Sequence, residues 1–153
     1  MKYLVLLPLL LSPLGAQEVH DVLPEAASDW KMVGPGNFEL MDGIATAKGG
    51  MGLWWYGAKQ FKNACFEIEF NAPEEADNSG IFVRFPDPGN DPWVAIRQGY
   101  EIQICGNQAD KLHTGAIYDI QPGIAPEMKV GDWNTYKIIT AGDQIAVILN
   151  DKL

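Results

Sequence analysis

The chain has 153 residues, with 11 Lys and Arg against 20 Asp and Glu, a formal net charge of −9. That length allows one domain, and a hydrophobic content of 47% excludes a disordered chain. The acidic balance excludes a nucleic-acid binder built on a basic patch, because phosphate recognition needs clustered Lys and Arg.

Taken from the start, Lys2 precedes an apolar run over Leu4 to Leu11, broken only by Pro8. Ser12-Pro13-Leu14-Gly15-Ala16 then makes a small-residue exit. This is the layout of a secretory signal peptide, and the run is far shorter than the roughly 20 apolar residues of a membrane-spanning helix. The expectation is a signal over residues 1–16, an exported mature chain in the periplasm or outside the cell, and no membrane span in it. Residues 17–29 are polar and acidic and read as a leader; the domain proper is expected over 30–153. Export places Cys65 and Cys105 in an oxidising compartment, where one disulfide and two buried free thiols both stay open. Their wide separation and the lack of a CxxC pair exclude a zinc site built on them.

The body shows short β-rich runs between turn signals, as in a sandwich or barrel. Ala64 to Phe70 alternates, with Phe66, Ile68 and Phe70 on one face and Cys65, Glu67 and Glu69 on the other. Gly80 to Phe85 follows an Asp77-Asn78-Ser79 turn. Tyr100 to Cys105 sets Tyr100, Ile102 and Ile104 against Glu101, Gln103 and Cys105. Thr114 to Ile120 is a further candidate strand. Tyr136 to Thr140 and Ile145 to Asn150 flank Ala141-Gly142-Asp143-Gln144, a hairpin signal. No long helical period is present. The prolines at 86, 88, 92, 122 and 126 fall in connections, where a missing N–H does least harm.

These faces suggest chemistry. Acids and amides lie on one side of two strands, and Trp54, Trp55, Tyr56, Trp93, Tyr100 and Tyr118 lie in or beside the strands. Rings cover the C–H faces of a sugar while polar groups take its hydroxyls. Plain solvent surface is the competing reading for a polar strand face, and core packing is the competing reading for the tryptophans. Because neighbours in a strand point to opposite faces, Trp54 and Trp55 are expected on opposite sides. Arg84 is expected on the face of Phe82.

The segments GGMGLWWY (Gly49 to Tyr56), NSGIFVR (Asn78 to Arg84), GYEIQI (Gly99 to Ile104), HTGAIY (His113 to Tyr118) and DWNTY (Asp132 to Tyr136), in this order, resemble the 3-keto-disaccharide hydrolase domain family. The resemblance covers about Ser28 to Leu153. It implies an all-β, concanavalin A-like jelly-roll sandwich and an exported hydrolase of 3-keto glycosides or disaccharides. The family often carries an acid soon after the EIQI strand; here Cys105-Gly106-Asn107 stands there, with Asp110 in the same loop. The family pattern also runs on past Leu153, so the domain is expected to be incomplete at that end and unstable or aggregation-prone through uncovered sheet edges.

A 3-keto group acidifies the sugar C2–H, so a base forms an enolate and the C1 oxygen leaves by elimination before water adds back. This requires a base near C2, a positive charge or a metal near the ketone oxygen and an acid for the leaving group. His113 is the first choice for the base and Arg84 for enolate stabilisation, with an Arg neutralising Glu67, Glu69 and Glu101 as the structural alternative; Glu101 is the third catalytic candidate, and with Gln103 on the same face it offers groups for hydroxyls or a divalent cation. Gln103, Glu69, Asn78, Trp55, Trp93 and Tyr118 are the candidate saccharide contacts, with Glu69 on a strand neighbouring Glu101. No cofactor is required, although Asp77, Asp87, Asp91 and the strand glutamates offer oxygen ligands to a divalent cation. Glu74-Glu75 and the acids over 87–91 read as solvated loops. A carbohydrate-binding module without chemistry, and a laminin G-type adhesion domain, are the alternatives on the same fold.

Overall fold

Alternating residues in this chain become antiparallel strands that share two small cores. The computed structural model describes residues 20–23, 28–124 and 127–152; the expected signal over 1–16, most of the leader and Pro126 lie outside them. In chain order the strands are β1 (Trp30–Val33), β2 (Asn37–Met41), β3 (Ile44–Lys48), β4 (Leu53–Tyr56), β5 (Ala64–Asn71), β6 (Ser79–Val83), β7 (Tyr100–Ile104), β8 (Trp133–Ala141) and β9 (Gln144–Leu149). A five-residue helix, α1 (Val94–Gln98), precedes β7, and a 3-10 turn covers Asp110–Leu112. No helix among the described residues is long and apolar enough to cross a membrane.

β5, β8 and β9 form one sheet with β8 in the middle; β6 pairs with β7, β1 with β4 and β2 with β3. The period of two decides what each sheet buries. Phe66, Ile68 and Phe70 of β5, Tyr136 and Ile138 of β8 and Leu149 of β9 meet Ile81 and Val83 of β6 and Ile102 and Ile104 of β7 in the main core. Tyr136, Ile138, Ile102 and Leu149 are fully buried, and burying each such side chain stabilises the fold by about 1.5–3 kcal/mol. The second core lies on the other side of β6–β7, where Val33, Leu53 and Ala95 collect Trp55, Phe82 and Phe85. The β6–β7 pair is therefore covered on both faces, by the three-stranded sheet on one and by β1–β4 with α1 on the other.

The six strand expectations are met at four places and corrected at two. β9 follows the hairpin at Ala141↔Gln144, with Gly142 at φ 58° and its N–H donating to Asn63 Oδ1. The segment expected as a strand over Thr114 to Ile120 forms only a single bridge, Ile117 to Ile102. Its backbone still runs along β7: Tyr118 N–H donates to Glu101 O (2.9 Å), Gln103 N–H to Ala116 O (3.0 Å) and Thr114 N–H to Cys105 O (3.1 Å). Gly115 at φ 91° and Asp119 at φ 56° bend it away from strand geometry at both ends. β6 also stops at Val83, because Arg84 takes φ 61°.

Neither cysteine is bridged. Cys65 is exposed on the outward face of β5, while Cys105 is buried at the end of β7. The main core stands between those strands' outer faces, so of the two open readings only Cys105 fits a buried thiol.

Candidate active site

The register of β6 on β7 sets Gly80 opposite Gln103 and Phe82 opposite Glu101. Since Ile102 and Ile104 enter the main core, Glu101 and Gln103 point out of the opposite face. The Ile102–Ile117 bridge adds Tyr118 beside Glu101 and Ala116 beside Gln103. A carboxyl, an amide, a phenol and a phenyl ring thus share one strand face. Phe82 packs on the second core, where Trp55 also packs, so an apolar wall borders the polar groups.

Burial marks these groups. Gln103 is 1% exposed, and its Oε1 has no hydrogen-bond partner. Its backbone carbonyl, by contrast, accepts from Tyr136 Oη (2.6 Å) and from Gly115 N–H. Glu101 is partly buried, and that loss of water pushes its carboxyl up to about 7. The carboxyl lies against Gly80: a β-carbon built there would fall against Oε1 and stand 2.6 Å from Cγ and 2.9 Å from Cδ. A glycine inside a strand is the sequence signal for such a close approach, and it went unread at the head of the Gly80 to Phe85 run.

Arg84 follows Val83, which pairs with Tyr100, so the backbone brings it to the Glu101 end of the β6–β7 pair. Its left-handed φ of 61° ends the alternation that would put it on the face of Phe82. Arg84 Nε and Nη2 are buried without a hydrogen-bond partner. A buried N–H left unpaired costs about 1–3 kcal/mol, so Arg84 holds two donors with capacity for a partner. The alternative of Arg84 neutralising the strand glutamates is not what the structure shows for Glu67, which pairs with Lys137 at 3.1 Å.

Other candidates fall elsewhere. Glu69 is exposed on β5 opposite Thr135, and β5 pairs with β8, not with β7. With the main core between them, Glu69 and Glu101 face away from each other, which corrects the expectation of neighbouring strands. His113 lines a recess of about 100 Å³ with Glu75, Gly106, Glu127, Met128 and Val130, none of which belongs to the Glu101 face. Its Nδ1 donates to Thr114 O at 3.1 Å, which leaves Nε2 as the accepting nitrogen. Thr114 stands opposite Cys105, four residues along β7 from Glu101, or roughly 13 Å at strand rise. Asn78 is exposed ahead of β6, Trp93 is 46% exposed ahead of α1, and Tyr118 is 38% exposed. Trp55 carries Lys31 Nζ 5.0 Å above its ring, while Trp54, on the other face, stacks between Trp30 and Phe38.

The carboxylates offered for a cation are engaged in local turns. Asp77 Oδ2 accepts from Glu74 N–H, Asp87 Oδ1 from Gly89 N–H and Asp91 Oδ1 from Trp93 N–H, and Asp91 also pairs with Arg97. Among the described residues no three His, Cys, Asp or Glu side chains converge as metal ligands, so no step is routed through a metal.

The strands make an all-β antiparallel sandwich of the jelly-roll class, with acid, amide and aromatic groups on one strand face. The chain belongs to the family of 3-keto-alpha-glucoside-1,2-lyase-like domains, whose model matches residues 24–153. Among solved structures it is similar to a candidate glycosyl hydrolase from Parabacteroides distasonis, with 17% identity and a TM-score of 0.61 over 81% of this chain and 65% of that one. A second candidate glycosyl hydrolase from the same organism is 29% identical, with a TM-score of 0.44 over 60% of this chain and 54% of that one. The chain therefore spans less than two thirds of the length of either. The first likeness shows the concanavalin A-like jelly-roll fold. No match is found among the curated proteins.

Proposed function

We propose that this chain cleaves 3-keto glycosides by elimination followed by hydration, with Glu101 moving the proton. The observation that carries the reading is a half-buried carboxyl with its titration near 7, on a strand face beside an unsatisfied amide oxygen and near an arginine with two unpaired N–H groups. A group that titrates near neutral pH is suited both to take and to return a proton. In the reaction Glu101 in its ionised form takes the sugar C2 proton, and the electron pair moves into the C2–C3 bond and onto the C3 oxygen. The enolate collapses, the C1–O bond breaks, and the leaving oxygen takes the proton held by Glu101, which returns to its carboxylate form. Water then adds its oxygen to C1 and a proton to C2, for a net hydrolysis. Arg84 is the donor for the developing C3 oxygen, Gln103 Oε1 accepts from a sugar hydroxyl, and Tyr118 and Trp55 flank the ring. His113 is assigned no step at this face, because it lines a different recess. Export to the periplasm or the medium, read from residues 1–16, belongs to the same proposal.

The test is release of a chromogenic leaving group from a 3-keto glucoside by the full chain, with and without chelator. Glu101→Gln is expected to cut kcat by a factor of about 100 or more while leaving binding of the saccharide in place. A folded protein that binds the sugar and releases nothing defeats the enzymatic reading and leaves a binding module.

A further inference from the structure

Gly80 sits in mid-strand without a positive φ, so nothing in its backbone conformation demands glycine. What demands it is the side chain across the ladder. The three atoms nearest to a β-carbon at 80 all belong to the flexible side chain of Glu101: Oε1, Cγ (2.6 Å) and Cδ (2.9 Å). We propose that Gly80 is the positioning residue for Glu101: the bare α-carbon is the seat on which the carboxyl lies, and any side chain there lifts it into water. The inference rests on the reading of Glu101 as the proton-transfer group and adds what holds that group in its working environment.

Two further observations support it. Burial is what raises the Glu101 titration, and no ion pair or charged neighbour contributes to it. The groups that the adjoining elements bring to this face are Arg84 at the end of β6, Cys105 at the end of β7 and Tyr118 on the segment beside it. Moving the carboxyl off its seat therefore removes the cause directly. Glycine is also the costly choice in a strand interior, having no side chain to pack and more freedom to lose. Its presence opposite Gln103 and diagonal to Glu101 has a use in the site that offsets that cost.

The experiment is a carboxyl ¹³C NMR titration of the full chain without substrate, with the Glu101 signal assigned by its loss in Glu101→Gln. In Gly80→Ala the fold is expected to persist with an equal or higher Tm, and the Glu101 midpoint to fall from near 7 by about one to two pH units toward the ordinary carboxylate value. A native midpoint already at that ordinary value, or one unchanged in Gly80→Ala, overturns the proposal. Should Gly80→Ala fail to fold, Gly80→Ala/Glu101→Ala must restore folding; a double variant that also fails shows that the β-carbon strikes something else and overturns it too. Because the titration is read without turnover, a shifted midpoint in a protein inert toward 3-keto glucosides sustains the positioning role while the proposed activity fails.

Discussion

At the residue scale, Glu101 ties acid–base behaviour to stability. Its folded-state titration near 7 stands above the ordinary 4.5, so the folded chain keeps a proton that the unfolded chain has lost. The contribution is whole below about 4.5 and is lost as pH rises to about 7, flattening beyond. Because water still reaches part of the carboxyl, the effect is expected at no more than about 2 kcal/mol. Melting of the native chain and of Glu101→Gln across that window checks it: the native chain alone should lose the increment. Asn134 makes a second residue-scale prediction. It is 1% exposed, and its Nδ2 donates to Lys129 O (2.9 Å) and Asp132 O (3.0 Å) while its Oδ1 accepts from Lys129 N–H and Asn150 Nδ2 (both 2.9 Å). Asn134→Leu leaves those partners without their bonds in a part-buried site and should cost about 1–3 kcal/mol by urea unfolding.

At the element scale, the legible parts were those with a long period of two. Ala64 to Asn71 and Tyr100 to Ile104 declared both their existence and their faces, because apolar and polar residues alternate along them. β1 to β4 were not declared: Trp30–Val33 and Leu53–Tyr56 are four residues each, too short for alternation to stand out. The site was legible as residue types but not as a constellation. Nothing in the spacing of the chain reveals that β5 pairs with β8, which sends Glu69 to the far side, or that Arg84 takes a left-handed φ. The two main layers are also joined by one bond of interest, Tyr136 Oη to Gln103 O. Tyr136→Phe keeps the packing and leaves that carbonyl its bond from Gly115 N–H, so it should cost only about 1 kcal/mol. Its Glu101 titration should stay unchanged, which separates clamping of the layers from the chemistry of the outer face.

At the scale of the whole molecule, the sandwich is not closed all round. Between β9 and the segment after β7 runs an apolar recess of about 240 Å³, lined by Ile117, Ile124, Ile145 and Val147. Among the described residues β9 has a strand partner only on its β8 side, and open apolar edges of this kind invite unwanted pairing. The Glu101 face lies away from this seam, on the side of β6–β7 that the β1–β4 layer covers. Its geometry thus depends on the second, smaller core of Val33, Leu53 and Ala95 staying docked.

That dependence has an optical consequence. The Trp30 and Trp54 rings stack 4.2 Å apart at 24°, near enough for their electronic transitions to couple and give a paired positive and negative band in the far-ultraviolet circular dichroism. The pair takes Trp30 from β1 and Trp54 from β4, so the couplet exists only while that layer is assembled. Trp54→Phe should erase it and leave the backbone signal of the large sheet. In the native chain, a couplet that fades at a lower temperature than the sheet signal would show the small layer undocking first, and coincident loss would show one cooperative unit. The tryptophan pair is a built-in gauge of whether the wall beside Glu101 is in place.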